Sequence, residues 1–376
     1  MLFREFKGKK ISALGFGSMR LPVIDNDDSR IDEEKAAAMV EKAIDGGINY
    51  FDTAWGYHGG NSEIVMGKLL QKYPRESFFL ATKFPGYDLS NIDKVETIFE
   101  KQLEKCRTDY FDFYLFHNVC EMNIDAYLDE SHGIFAYHKK QKENGRIRHL
   151  GFSVHGNIET MTRFLEKYGN DMEFCQIQLN YIDYNFQNAK AKLKLLEKYK
   201  IPVWVMEPLR GGKLASLKDG FGEKVKEKLG VAPVDAAFGF LLSFPQVTTV
   251  LSGMSTEEQL EDNLRIFDNA KPLEKAEVDF ILSVADEMLK KKTLPCTGCH
   301  YCVSHCPRGL DIPTLIELYN EHCFTEGGFI APMFFARYPK EKQPSACIGC
   351  RSCEKVCPQQ IKISEAFSDF SAKLGS

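Results

Sequence analysis

Eight short apolar runs are each followed by an amphipathic stretch, and this rhythm, which persists to about residue 285, constrains the fold more than any other feature. The runs lie near Ala13–Met19, Ile48–Ala54, Phe78–Phe84, Tyr110–His117, Ile147–Val154, Phe174–Asn180, Val203–Leu209 and Val247–Gly253. Helical periodicity follows near 33–46, 62–73, 93–106, 134–144, 157–168, 189–199, 233–243 and 256–267. The runs are continuous rather than alternating, as in the FYLFH stretch ending at His117, which suits strands buried on both faces. Repeated strand–helix units predict a parallel sheet, and eight of them close into a barrel rather than leaving an open sheet. The expected fold class is therefore α/β, a (β/α)8 TIM barrel.

Local chemistry marks several boundaries. Asp32-Glu33-Glu34 places acids in a first helical turn, where they complement the dipole, and Gly46-Gly47 offers a left-handed cap at the other end. Ser255 and Glu258 have capping-box spacing ahead of the last barrel helix.

Beyond Lys290-Lys291-Lys292 the pattern changes to cysteine runs around a helical stretch, Ile312–Cys323. Cys296, Cys299, Cys302 and Cys306 with Pro307 are repeated by Cys347, Cys350, Cys353 and Cys357 with Pro358, at an offset of 51 residues. Thiolates are the ligands that iron–sulfur clusters require. CxxC pairs also bind zinc, but zinc uses two separated pairs and leaves the third equally spaced Cys and the trailing Pro unexplained. Disulfides fit poorly with a long chain whose start, MLFREFKGKK, has no apolar signal region. The expected organisation is a barrel over 1–290 and a small, mainly helical iron–sulfur domain over 291–376. Cys106, Cys120, Cys175 and Cys323 stand outside the runs, where a buried small hydrophobe is the default reading.

Composition bounds the partners. Hydrophobic content of 44% and charged content of 27% over 376 residues are those of a globular protein with ample core. A net charge of −5 with both signs interspersed gives no reason to expect nucleic acid, and no stretch approaches a membrane span. A cytoplasmic location follows as an expectation.

In a barrel of this kind chemistry sits at the C-terminal ends of the strands, so polar residues there are informative. The second run ends in Asp52 and leads to Tyr57, the third ends in Lys83 and the fourth in His117. Singly each has an ordinary structural explanation, but adjacent parallel strands bring all four to one rim. Together they compose an acid–base site: a phenol that gives up a proton, an ammonium that lowers its pKa, a carboxylate that holds the ammonium, and an imidazole that orients a carbonyl.

The segments GGINYFDTAWGYHGGNSE (46–63), ATKFP (81–85), YLFHN (114–118), ENGRIRHLGFS (143–153), MEPLRGG (206–212) and GMSTEEQLEDN (253–263) resemble, in order and spacing, the aldo-keto reductases. The resemblance implies Asp52, Tyr57, Lys83 and His117 as a catalytic tetrad, with Tyr57 the general acid for carbonyl reduction. It also implies a nicotinamide dinucleotide extended across the barrel mouth. No Gly-x-Gly-x-x-Gly fingerprint follows a strand, in agreement. Ser153 and Gln176 would hold the carboxamide with Asn180 close by, Leu209 and Gly211 would approach the pyrophosphate, and Gln259 and Asn263 would lie at the adenosine end. Met206 stands where many members have a stacking aromatic, and Val154 replaces an Asn. Gly253 and Gln259 replace basic residues that often clamp a 2′-phosphate, leaving Ser255 and Thr256 as neutral donors, so NADPH and NADH both stay open.

The cysteine region is similar to two-cluster ferredoxin modules, which implies two [4Fe–4S] clusters with the fourth Cys of each run serving the other cluster. The implied sets are Cys296, Cys299, Cys302 with Cys357, and Cys347, Cys350, Cys353 with Cys306. The functional expectation is an NAD(P)H-dependent oxidoreductase acting on a small-molecule carbonyl or alcohol, with an attached electron-transfer module. Its further partner would be an electron carrier such as a ferredoxin or flavoprotein, although no flavin signature is present. Electron exchange between the two halves would require the module to lie against the C-terminal rim of the strands. Two alternatives stand beside it: an electron-transfer protein using the barrel as a docking scaffold, and an ordinary reductase whose clusters are structural or sensory.

Overall fold

The computed structural model describes residues 1–290, 293–296 and 298–375. The chain divides into two compact units, Met1–Ile281 and Leu282–Ser376. Lys291 and Lys292, at the boundary expected from sequence, lie outside the described residues.

The first unit opens with an antiparallel hairpin, β1 (Phe3–Phe6) and β2 (Lys9–Ser12), turning at Lys7 and Gly8, both at positive φ. Eight parallel strands follow: β3 (Leu14–Gly17), β4 (Tyr50–Asp52), β5 (Phe79–Phe84), β6 (Phe111–Val119), β7 (Ile147–Val154), β8 (Phe174–Gln178), β9 (Val203–Met206) and β10 (Val247–Gly253). They pair in sequence order and β10 closes on β3, making a closed barrel. The expected (β/α)8 architecture is the observed one.

Helices α1 (Glu33–Asp45), α2 (Ser62–Leu70) and α3 (Val95–Cys106) follow β3, β4 and β5. The later strands carry main helices at Ile134–Glu143, Ile158–Tyr168, Ala189–Tyr199, Pro233–Leu242 and Glu257–Asp268. The Asp32 side chain caps α1 by accepting from the Lys35 amide, and Gly47, at φ +87°, supplies the left-handed residue after its end. The cap of Glu257–Asp268 sits one residue later than the expected box. Thr256 Oγ1 accepts from the Gln259 amide, and Gln259 Oε1 accepts from the Ser255 amide. Thr256 and Gln259 have the same three-residue spacing as Ser255 and Glu258, so the pattern alone admits either register.

Phe6 of the hairpin plugs one end of the barrel. Its ring meets Trp204 edge-on at 5.2 Å, among Tyr50, Phe113 and Phe174. Tyr50 and Trp204 begin or nearly begin their strands, so this sealed end is the N-terminal one and the C-terminal ends form the mouth. Among the described residues no helix is long and apolar enough to cross a membrane.

The second unit has its own apolar core, including Leu310, Ile312, Leu315, Ile316, Phe367 and Phe370. Its backbone repeats at the offset of the cysteine runs. Positive φ recurs at Gly298 and Gly349, His300 and Arg351, and Gly309 and Gln360. Short 3₁₀ turns, Val303–His305 and Glu354–Val356, fill the x3 gaps, and helices Ile312–Thr325 and Ile363–Leu374 begin in step. The expected helix at Ile312–Cys323 is thus one of a matched pair.

Candidate functional site

Strand register decides which side chains meet at the mouth. Asp52 lies opposite Ala81, so its partner on the same face of β5 is two residues on, at Lys83. Lys83 lies opposite Leu115, and the same stagger carries the face to His117 on β6. Leu115 lies opposite Gly151, which carries it on to Ser153 of β7, and Ser153 stands directly opposite Gln176 of β8. The two-residue advances from Asp52 to Lys83 and from Lys83 to His117 reflect the shear of a tilted barrel, and they help turn scattered strand-end residues into one interior ring. Tyr57 joins it from the turn after β4.

Lys83 is the centre of this ring. Its Nζ donates to Asp52 Oδ1 at 2.6 Å and to the Thr53 carbonyl at 2.8 Å, and lies 3.4 Å from the Tyr57 hydroxyl. Asp52 and Lys83 are buried, and Tyr57 and His117 are half-buried, their rings edge-on at 6.1 Å. Tyr87 also meets the imidazole edge-on, at 5.0 Å.

Burial and charge act against each other here. Burial disfavours the Lys83 ammonium, but Asp52 and Tyr57 outweigh it and hold the pKa above the ordinary lysine value. Burial raises the Asp52 carboxyl, and Lys83 opposes the shift. His117 is pushed well below the usual histidine range, first by burial and then by the Lys83 charge, so it stands neutral at physiological pH. Tyr57 corrects an expectation: burial raises the phenol, and the Lys83 ammonium only partly offsets it. The net shift is upward because the hydroxyl is desolvated while its contact with Lys83 is long.

The cysteine runs enclose space of their own. A small cavity, partly open to solvent, is lined by Cys296, Cys299 and Cys302 of the first run together with Cys357 of the second, with Ile316, Ile361 and Ile363 around them. Burial raises the Cys302 thiol to about 11, and the nearby Cys296, Cys299 and Cys357 add to the shift. Cys353 is raised to about 11 by burial, with Glu354, Cys347 and Cys306 adding to it, so Cys306 sits beside the second run as Cys357 sits beside the first. The Leu310 amide donates to Cys306 Sγ at 3.5 Å, a contact of the kind that tunes cluster potentials.

Residues 13–286 match the Aldo/keto reductase family, close to three-quarters of the chain. The chain belongs to that family. Residues 295–362 match the 4Fe-4S dicluster domain. Among curated proteins, the uncharacterized oxidoreductase YqkF of Bacillus subtilis is 27% identical over 307 residues, covering 73% of this chain and 92% of that protein. The L-galactose dehydrogenase of Arabidopsis thaliana is 28% identical over 280 residues, covering 68% and 84%. Among solved structures, the holo form of aldo-keto reductase AKR11C1 from Bacillus halodurans superposes with a TM-score of 0.61 at 25% identity, covering 76% of this chain and 96% of that one. This aldo/keto reductase is accordingly an oxidoreductase.

The residues expected to hold a dinucleotide fall into three groups in this reductase. Ser153, Gln176 and Asn180 are buried along the mouth. Asn180, however, makes all four hydrogen bonds open to an amide: Nδ2 donates to Asp183 Oδ2 and the Glu207 carbonyl, and Oδ1 accepts from the Ile182 and Asp183 amides. It holds the turn after β9 in place and has nothing left for a carboxamide. Ser255, Thr256 and Gln259 are engaged in the helix cap, and Asn263 donates to Ser252 Oγ at 3.0 Å.

In the turn after β9, Arg210, Gly211 and Gly212 are all at positive φ, and Gly211 and Gly212 are exposed. Sequence reading missed Arg20. Its side chain lies along Gly253, where a Cβ would meet its methylenes at 3.2 Å, and its guanidinium is 3.7 Å from the Cβ position of Gly211 and 3.8 Å from Glu207 Oε1. The Arg20 side chain, arriving from the end of β3, thus lies in the space that a side chain at 253 would enter. The signal was present as a glycine in place of a cation, but a lone exposed arginine after the first strand gives no hint of where its side chain goes.

Proposed function

We propose that the barrel reduces a small-molecule carbonyl, or oxidises the corresponding alcohol, with Tyr57 as general acid, and that the C-terminal unit holds two [4Fe–4S] clusters as an electron-transfer module. The observation that carries the reading is Lys83 bridging Asp52 and Tyr57 beside a neutral His117. A bound NADPH or NADH supplies the hydride. Ser153 and Gln176 would hold its carboxamide end, and Gly211, Gly212 and Arg20 its pyrophosphate.

Within the chain each residue has one task. A neutral His117 donates to the carbonyl oxygen without competing for its proton. Tyr57, kept protonated by burial, gives its proton as negative charge grows on that oxygen. Lys83 stays charged against Asp52 and stabilises the phenolate that remains. The mouth thus presents two donors to one oxygen, which is what polarising a carbonyl requires.

The electrostatics predict the pH profile. His117 has no proton to lose on passing its ordinary pKa of about 6.5, and Tyr57 keeps its proton past the ordinary phenol value of about 10. The rate of carbonyl reduction at saturating substrate should therefore be flat from roughly pH 6 to 9. A bell centred near neutrality would show that an ionisation at the site had been misassigned.

The clusters, when bound, carry single electrons. An apolar core in the second unit weakens the view that they merely staple a domain lacking one. Anaerobic titration of the loaded protein with NADPH or NADH tests the module: bleaching of the cluster absorbance supports electron transfer. Unchanged clusters during carbonyl turnover would leave a reductase with a structural or sensory appendage.

A further inference from the structure

Tyr57 and Lys83 come from different elements, and a buried carboxylate ties those elements together. Glu63, in the first turn of α2, is fully buried, and its carboxylate accepts three hydrogen bonds. Thr82 Oγ1 and Gln102 Nε2 each donate to Oε1 at 2.7 Å, and Lys105 Nζ donates to Oε2 at 2.7 Å. Two arms leave this carboxylate. One reaches the Lys83 strand: Thr82 is the residue before Lys83, and Gln102 Nε2 also donates to the Lys83 carbonyl at 3.0 Å while its Oε1 accepts from Tyr114 OH at 2.6 Å. The other reaches the Tyr57 turn, because the Lys105 ammonium lies 4.4 Å over the ring of Trp55, two residues before Tyr57.

We propose that this buried clasp sets the separation of Tyr57 and Lys83, making Glu63 a positioning residue for proton transfer. The proposal rests on Tyr57 acting as the acid. Three features support a geometric role. A buried ion pair gives little net stability over apolar packing of the same volume, so stability alone does not account for Glu63 and Lys105, whose side chains are 0% and 12% exposed. The approach of α2 to α3 is itself specified: a Cβ on Gly67 would lie 2.6 Å from the Lys105 carbonyl oxygen, so this contact requires glycine. And the Lys83–Tyr57 contact, at 3.4 Å, is the long one of the three that Lys83 makes, the one a small displacement would break. Ser62, beside Glu63, anchors the same turn through Thr53 Oγ1 at 2.9 Å and Ser18 Oγ at 2.8 Å.

The test uses the full-length, cluster-loaded protein, 4-nitrobenzaldehyde as a carbonyl probe, and tryptophan fluorescence quenching for dinucleotide affinity. Glu63→Gln should lower kcat about 10²-fold, the cost of misplacing a reacting group by roughly 1 Å. The dinucleotide Kd should change by less than about twofold, because the clasp touches no residue of the pyrophosphate turn, and Glu63→Asp, which restores the charge, should recover part of the rate. In a Lys83→Met background Glu63→Gln should cost nothing further, since the contact it positions is already gone. Should Glu63→Gln not fold, Lys105→Met is read by the same measurements. Unchanged kcat in Glu63→Gln with Tyr57→Phe inactive would overturn the clasp alone, as would a full additional loss in the Lys83→Met background. Turnover surviving in Tyr57→Phe would instead remove the reading on which the clasp depends.

Discussion

Tyr57→Phe is expected to slow carbonyl reduction by roughly 10²–10⁴-fold, the range that a positioned general acid supplies. The substitution removes one oxygen from a half-buried ring whose packing against His117 stays intact, so dinucleotide affinity measured by fluorescence should hold. Lys83→Met should act in the same direction by another route. Without the ammonium, burial and the nearby Asp52 and Glu207 raise the phenol unopposed, and the phenolate left after proton transfer loses its stabilising charge. Asp52 would then be a buried carboxyl whose Lys83 partner is gone, so this variant should also lose stability. Wild-type turnover in Tyr57→Phe would make the tetrad a relic, and the barrel would be better viewed as a docking scaffold.

The second large effect concerns iron. Protein purified without oxygen should carry about eight iron atoms with matching acid-labile sulfide, four for each cluster. Cys306→Ser should then damage the cluster of Cys347, Cys350 and Cys353 and spare the other, although Cys306 belongs to the first run in sequence. The cavity lined by three cysteines of one run and Cys357 of the other, and Cys306 lying near enough to Cys353 to raise its thiol, favour the crossing. Iron and sulfide analysis beside electron paramagnetic resonance of the reduced variant separates the two clusters. Damage confined to the Cys296, Cys299 and Cys302 cluster would refute the crossed arrangement, and zinc without sulfide would refute the clusters altogether.

Much of the barrel was legible because its signals are local and repeated. Ile147–Val154 and Val247–Gly253 were read to the residue, and each barrel helix was found within a few residues of its observed ends. The losses have physical causes. Val203–Leu209 was read as strand throughout, yet β9 stops at Met206, because Glu207 turns to positive φ to start the turn that follows and apolar content does not report φ. The hairpin at Phe3–Ser12 showed in sequence only as a turn at Lys7-Gly8-Lys9, because its side chains alternate weakly and its value lies in one residue, Phe6, sealing the barrel.

The site divides along the same line. Asp52, Lys83 and His117 were visible because strand ends are where a barrel displays chemistry, and the cysteine spacing singled out its own candidate ligands. Three further features were decided by tertiary packing. The direction of the Tyr57 shift depends on how much water the fold removes. The saturation of Asn180 depends on which amides surround it, and the place of Arg20 depends on glycine at 253. Sequence thus determined which chemical groups this protein brings to its mouth and to its cysteine module, since identity and spacing are properties of the chain itself. Desolvation, hydrogen-bond saturation and the Glu63 clasp depend on residues distant in sequence but adjacent in space, and only the folded barrel brings those together.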